Sequence, residues 1–245
     1  MIVQLEINDR RFTADLSQPL ADLSLAVSDI ARAWYIDAPT FTPVVLGDWT
    51  GSVASGGSVN FFNIGFNPHA HGTHTETAGH ITMERHSINK HFNTPMSVAA
   101  VLHLEPHDGL VTFERFQEHW DALALTERKP EAVILKTDFS TEENKEYSGT
   151  DWPYLQSDIG AFLLEKGVEH LLIDQPSVDQ EEDGGALACH HSFWGPTPEQ
   201  SLHRTITELI RVPANVAEGL YLLNLQVAPI DNDAAPSRPV LYALK

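Results

Sequence analysis

The chain has 245 residues, 42% of them apolar, and its 34 acidic against 15 basic side chains give a formal net charge of −19. That length and apolar content suit one large domain, residues 1–245, with a sizeable core. So negative a field disfavours nucleic acid and anionic membrane surfaces as partners. A lone cysteine, Cys189, excludes an intrachain disulfide framework. No window approaches the roughly 18 apolar residues of a membrane helix. Met1–Glu6 carries no basic segment followed by an apolar run, so a cytoplasmic chain is expected.

Ile2–Ile7 alternates apolar and polar residues as a half-buried strand does, Asn8-Asp9 reads as a turn, and Arg11–Leu16 as the hairpin partner. Residues 17–43 are loop-rich, and Trp34-Tyr35 sits on no clear period. Val59–Phe66 is strand-like and aromatic, and Val98–Leu104 is an apolar strand closed by the turn-forming Pro106-His107-Asp108-Gly109. Helical spacing runs through Thr112–Ala124, a short buried strand through Ala132–Thr137, and an amphipathic helix through Tyr154–Lys166 with Gly167 as its C-cap. His170–Asp174 reads as a buried strand ending in an acid, Thr205–Arg211 as a helix, and Gly219–Ala228 and Arg238–Leu244 as strands around a proline-containing loop. Helices leading into strands of this kind predict α/β organisation.

The chemistry concentrates in His69-Ala70-His71-Gly72-Thr73-His74-Thr75-Glu76-Thr77-Ala78-Gly79-His80, four imidazoles and a carboxylate with no lysine or arginine among them. Imidazole and carboxylate are the ligand set of Zn²⁺, Mn²⁺ or Fe²⁺. His74 and Glu76 are two apart, so an extended segment sends both from one face. His80 lies one helical turn beyond Glu76 if a helix starts near Ala78. A chain with 13 histidines clusters some by chance, but four with a same-face Glu outweigh that reading.

A metal held only by sequence neighbours lacks distant support. The best further candidates are Gln175-Pro176-Ser177-Val178-Asp179, Cys189-His190-His191 and Glu208. Other features have plainer readings. His103, Glu105 and His107 alternate on one face but run into a solvated turn, and the acidic run Asp179–Asp183 reads as a solvated loop without EF-hand spacing. Cys189 follows apolar Leu187-Ala188 and reads as a buried inert thiol. No Gly-x-Ser-x-Gly elbow supports a serine hydrolase. Trp34, Trp49, Phe61, Phe62 and Trp194 are mostly core candidates, any of which could instead stack on an aromatic substrate.

The order of these segments resembles the cyclase-like metal-hydrolase family that includes kynurenine formamidase and isatin hydrolase. Gly72-Thr73-His74, Glu76 and His80 match the core of the motif His-x-Gly-Thr-His-x-Asp-x-Pro-x-His, with Glu in place of Asp. Ile173-Asp174-Gln175-Pro176-Ser177-Val178-Asp179 looks like the second signature, and His190-His191 and Glu208 fall where the family places its remaining ligands. Gly219-Leu220-Tyr221 and Ala235-Pro236-Ser237-Arg238 resemble the closing strands. The chain departs from the pattern in three places. Ala70 stands where the first motif histidine belongs, Ala78-Gly79 replaces Pro-x, and extra residues around Trp194–Pro198 separate His190 from Glu208. Either neighbour of Ala70 needs a backbone irregularity to face His74; His69 is favoured because it leaves more chain to absorb one, with His71 as the alternative.

The resemblance implies a single-domain α/β cyclase-like (swivelling β/β/α) fold with a mixed central sheet. It also implies a metal-dependent hydrolase acting on C–N bonds other than peptide bonds, most of all aryl formamides such as N-formylkynurenine. Two divalent ions, Zn or Mn, would share Glu76, one on His69 and His74 and the other on His190 and Glu208. A metal-activated hydroxide would attack, with His80 as general acid/base. A cyclic amide or lactone substrate, as for isatin hydrolase, or a catalytically silent metal-binding relative are the alternatives. The expected partners are a small-molecule substrate and further copies of the chain, as a dimer or higher homo-oligomer.

Overall fold

The computed structural model describes residues 1–7, 10–28, 31–123, 129–137, 139 and 145–245. The expected Asn8-Asp9 turn and the end of the helix at Ala124 lie outside them. The first hairpin forms as the alternation predicts: β1 (Ile2–Ile7) pairs antiparallel with β2 (Arg10–Asp15). The main sheet then uses β3 (Ala21–Asp22), β4 (His74–Thr77), β5 (Met96–His103), β6 (Ala132–Lys136), β7 (His170–Ile173), β8 (Thr205–Glu208), β9 (Gly219–Val227) and β10 (Ala234–Ala243).

Its order is β9-β5-β6-β7-β8-β4-β10-β3, and a further pairing of β9 with β10 closes all but β3 into a ring. Strands β5 to β8 run parallel to one another; β4, β9 and β10 complete the ring antiparallel. Parallel neighbours need crossovers, and each contains a helix: α1 (Phe113–Ala122), α2 (Ser157–Lys166) and α3 (Ala188–Trp194). Thr112 caps α1 by accepting the Arg115 amide, and Gly167 ends α2 at φ 77°, a left-handed conformation that suits glycine.

Both faces of the ring are buried, so its strands lack clean alternation. Ala99, Val101, Ala132, Ile134, Leu172, Leu223, Leu225 and Leu241 form one cluster, joined by Leu23. Their neighbours Leu102, Val133, Leu135, Leu171, Ile173 and Ile206 face the other way, against Phe116, Trp120, Ile159, Leu163 and Phe193 of the helices.

Three expectations change. Thr205–Arg211 is not a helix; residues 205–208 form β8, clamped between β7 and β4 with all four side chains buried. Burial on both sides erased the strand period, and the β-branched Thr-Ile-Thr run suits the pleated sheet better than a helix. Helix α2 starts at Ser157, because Tyr154-Leu155 pairs with Leu110-Val111. The final strand begins at Ala234 rather than Arg238: Ala234–Pro236 pair with β4 and Ser237–Ala243 with β9, so Pro236 sits where the strand changes partner. Among the described residues no helix is long and apolar enough to cross a membrane.

Candidate metal centre

The His-rich segment enters the sheet through a tight turn in which Asn67 carbonyl accepts the amides of Ala70 and His71. The turn sends His69 and His71 to different places. His71 Nδ1 accepts the Asn67 amide and its Nε2 donates to the Asp37 carbonyl, both at 2.9 Å, so neither ring nitrogen keeps a free lone pair. His69 instead places Nδ1 3.0 Å from Glu76 Oε2 and Nε2 2.9 Å from Asp233 Oδ2. Gly72 follows at φ 75°, where an added Cβ would meet the Leu25 and Ala26 carbonyls at 2.8 Å. Thr73 accepts the Leu25 amide and donates to the Leu209 carbonyl, fastening the start of β4 to the residue after Glu208.

From there the ladder sets the geometry. His74 is in register with Glu208 and Glu76 with Ile206, so His74, Glu76 and Glu208 leave the helix-facing side. The inward neighbours Thr75 and Thr207 bond to each other at 2.8 Å. Glu208 Oε2 lies 3.3 Å from His74 Nε2, and its Oε1 lies 3.9 Å from His190 Nε2. Helix α3 supplies His190, whose Nε2 is 3.1 Å from Glu76 Oε1. His80, on a single 3-10 turn at Ala78–His80, stacks on His69 with ring centroids 4.4 Å apart. His191 points to solvent from the other side of α3. Thus His69, His74, Glu76, His80, His190 and Glu208 converge, whereas His71 and His191 do not join them.

The imidazoles are prepared in a way that suits a cation. His190 Nδ1 is 2.6 Å from Asp179 Oδ2, His69 Nε2 is held by Asp233, and His74 Nδ1 is 3.2 Å from the Gly72 carbonyl. Each acceptor fixes a proton on the outer nitrogen, so the inner one is the atom that would turn a lone pair to a bound cation, the usual support of a metal-bound histidine. The inner atoms are short of partners: among the described residues His74 Nε2 and Glu208 Oε1 are buried without a hydrogen bond, and Glu76 Oε2 has the 3.0 Å contact with His69 Nδ1. Buried orphans are rare in native proteins. One donor atom each from His69, His74 and Glu76, and again from Glu76, His80 and His190, lie within 4.8 Å of one another. Glu76 belongs to both groups; a third is His69, His80 and Asp233, and Glu208 belongs to none of the three.

Charge is concentrated here. Burial lowers the His69 imidazole, yet its contacts with Asp233 and Glu76 prevail and push it up to about 10. His190 behaves alike: burial opposes protonation, but Asp179 and Glu76 raise it to about 10. Burial works to raise Glu76, and the field of His80 with the bonds from His190 and His69 holds it well below the usual carboxylate range. Burial pushes the Cys189 thiol up, as expected of an inert core cysteine.

One supporting carboxylate, Asp233, escaped the sequence reading; the other, Asp179, stood there both among the further candidates and in an acidic run read as a solvated loop. Asp179 is buried and does not belong to a solvated acidic loop. It accepts the Cys189 amide at 2.7 Å and the His190 amide at 3.1 Å, anchoring α3 as well as the His190 ring. Its place in the second signature segment was the available signal; the acids after it masked this. Asp233, in Asp231-Asn232-Asp233, carried no signal, because only the closure of β10 onto β4 brings it to His69. Of the flagged aromatics, Trp34 lines the site and Trp194 packs 5.3 Å from His190. Phe61 and Phe62 are exposed, and Trp49 packs on Phe61.

A cavity of about 350 Å³ opens onto the cluster, walled by Trp34, Ile36 and Leu187 on its apolar side and by His69, His80, His190, Glu208, Ser177 and Asn67 on its polar side. Small-molecule pockets typically have this character.

Residues 14–180 match the family model described as "Putative cyclase". Kynurenine formamidase of Bacillus anthracis is 32% identical over 232 residues, covering 93% of this chain and 95% of that protein. The chain belongs to the cyclase family. Structurally, this cyclase-family chain is similar to isatin hydrolase A from Labrenzia aggregata, with a TM-score of 0.69 at 14% identity over 92% of this chain and 93% of that one. It is similar also to a predicted metal-dependent hydrolase from Bacillus stearothermophilus, with a TM-score of 0.62 at 18% identity over 91% and 97%. The mixed α/β fold is shared with them. As a member of this family the chain is an enzyme, a hydrolase.

Proposed function

We propose that this chain is an arylformamidase of the N-formylkynurenine class, working with two divalent cations that share Glu76. His69 and His74 would hold one ion, His190 and Glu208 the other, with zinc and manganese both suited to such donors. The observation that carries the reading is the meeting of these residues, from three separate chain segments, around orphaned buried donor atoms beside an apolar-walled cavity. Bound there, divalent cations acidify a water and polarise a carbonyl. Everything else falls to the chain's own residues.

Trp34, Ile36 and Leu187 exclude water and orient an aryl group, leaving the formyl carbon towards His80, His190 and Glu208. His80 has Nδ1 3.4 Å from Asp233 Oδ2, so its other ring nitrogen is the one available to the reaction. It takes a proton from the attacking water and returns it to the departing nitrogen, typically a contribution of about 10²–10⁴ in rate. The C–N bond breaks, a C–O bond forms, and the products are an aryl amine and formate. A cytoplasmic homodimer is part of the same proposal.

The test is turnover of N-formylkynurenine, formanilide and isatin by zinc- and manganese-loaded protein. Formamide cleavage lost on His80→Ala supports the proposal. Preference for isatin would move the substrate to cyclic amides, and bound metal without turnover of any of the three would refute catalysis of this class.

A further inference from the structure

Asp233 has no counterpart among the ligand and acid/base roles above, yet it touches both. A single oxygen, Oδ2, lies 2.9 Å from His69 Nε2 and 3.4 Å from His80 Nδ1, and the two rings are stacked 4.4 Å apart against it. We propose that Asp233 is the positioning residue of this centre, holding the ligand His69 and the proton-carrying His80 through one carboxylate oxygen. The inference rests on the proposed function for the role of His80, but not for the geometry.

The backbone places this carboxylate as firmly as a ligand. The Thr77 amide donates to the Asp233 carbonyl at 3.0 Å, and the next residue, Ala234, is in register with Glu76. The ladder that aims Glu76 therefore aims Asp233 as well, so any shift of β10 along β4 would move both together. The side chain is about a quarter exposed, at 24%, beside the polar hollow of Arg85, Ser87, Lys90 and Asn232. Neither of these cations pairs with it: Lys90 Nζ is 3.7 Å from Asp231, and Arg85 reaches Asn232. Among the described residues its side-chain partners are the two histidines.

The chemistry follows from the acceptor. A carboxylate accepts hydrogens only, so both facing nitrogens carry protons. On His69 this leaves Nδ1, 3.0 Å from Glu76, as the nitrogen that would give up its proton and turn a lone pair to the centre when a cation binds between them. On His80 it leaves Nε2 as the atom that accepts and then donates the reacting proton. While His80 carries the extra proton, Asp233 stabilises the imidazolium without being protonated, as an aspartate does behind a catalytic histidine. Because one oxygen serves both rings, loss of its charge should weaken metal binding and proton transfer together. Asp179, which meets the His190 ring but neither His69 nor His80, should affect metal binding much more than proton transfer.

The test uses the zinc-loaded full chain. In ¹⁵N spectra of the wild type, His80 should carry its proton on Nδ1 and His69 on Nε2; protons on the opposite nitrogens would overturn the proposal without any variant. Asp233→Asn should weaken zinc binding about 10–100-fold, the usual range for a supporting partner. At saturating zinc it should still lower kcat at least 10-fold with KM changed less than 3-fold, and Asp233→Glu should recover part of that loss. A purely structural role predicts an altered thermal midpoint with normal kcat once zinc is saturating, and that result would overturn the proposal. Should the wild type cleave no formamide, the proposed function fails, while the tautomers and zinc affinities still judge Asp233.

Discussion

Replacing the two histidines that flank Ala70 by alanine separates metal binding from folding. His71 is only 2% exposed and both its nitrogens are committed to backbone groups at 2.9 Å. His71→Ala leaves the Asn67 amide and the Asp37 carbonyl without their partner, about 1 kcal/mol each, and opens a hole the size of an imidazole, about 1–2 kcal/mol more if the surroundings collapse partly. The sum, about 3–4 kcal/mol, should lower the thermal midpoint by roughly 6–16 °C in a chain of this size. Its zinc affinity, measured at a temperature where the variant is folded, should stay within about 3-fold of the wild type.

His69→Ala reverses the pattern. It removes a donor atom from the group formed with His74 and Glu76. Losing a supporting partner alone weakens a metal site about 10–100-fold, so losing a ligand should weaken it by about 100-fold or more. Competition with a chromophoric chelator gives the affinities, and scanning calorimetry the midpoints. If His71→Ala sheds zinc while folded and His69→Ala retains it, the turn at residues 67–71 has been misread and the imidazole replacing the missing motif histidine is His71.

Further outcomes follow from other parts of the fold. His170 is buried, and burial is the main cause that lowers its imidazole from 6.5 to about 4. The unfolded chain thus takes a proton below about pH 6.5 that the folded chain refuses until about pH 4, so its contribution to stability is intact above pH 6.5 and lost as pH falls through that window, about 3 kcal/mol in all. Urea unfolding should show this acid loss reduced in His170→Asn; identical slopes in the two proteins would contradict the assignment. Gly72→Ala combines a left-handed φ of 75° with contacts at 2.8 Å to two carbonyls, and should cost about 2–3 kcal/mol in urea unfolding. Asp179→Asn should weaken zinc binding about 10–100-fold by freeing the His190 ring, while Glu181→Gln nearby leaves it unchanged.

How much of this was legible in the sequence depended on where burial falls. The hairpin of β1 and β2 and helix α1 were readable because one face of each meets solvent, so the hydrophobic period survives. Strand β8 was not, since Thr205 and Thr207 are buried on one face and Ile206 and Glu208 on the other, leaving no period to detect. Strand β10 was half hidden by Pro236 and Pro239, which disfavour a central strand unless, as at Pro236, the strand is changing partner. Within the centre, the local cluster from His69 to His80 and the distant His190 and Glu208 were visible as residue types that seldom gather without purpose. The choice between His69 and His71 turned on one backbone irregularity that spacing alone left open. Asp179 was visible in a candidate segment but not separable from the acids after it, and Asp233 was invisible, because each sits in an acid-rich stretch that resembles solvated loop and only tertiary closure turns one acid inward.

The most direct measurement is anomalous scattering from crystals of the full chain grown with zinc. The account predicts peaks beside Glu76, with His69 Nδ1, His74 Nε2, His190 Nε2 and a Glu208 oxygen about 2.0–2.2 Å from an ion. Zinc bound elsewhere while these inner atoms stay uncoordinated would contradict it.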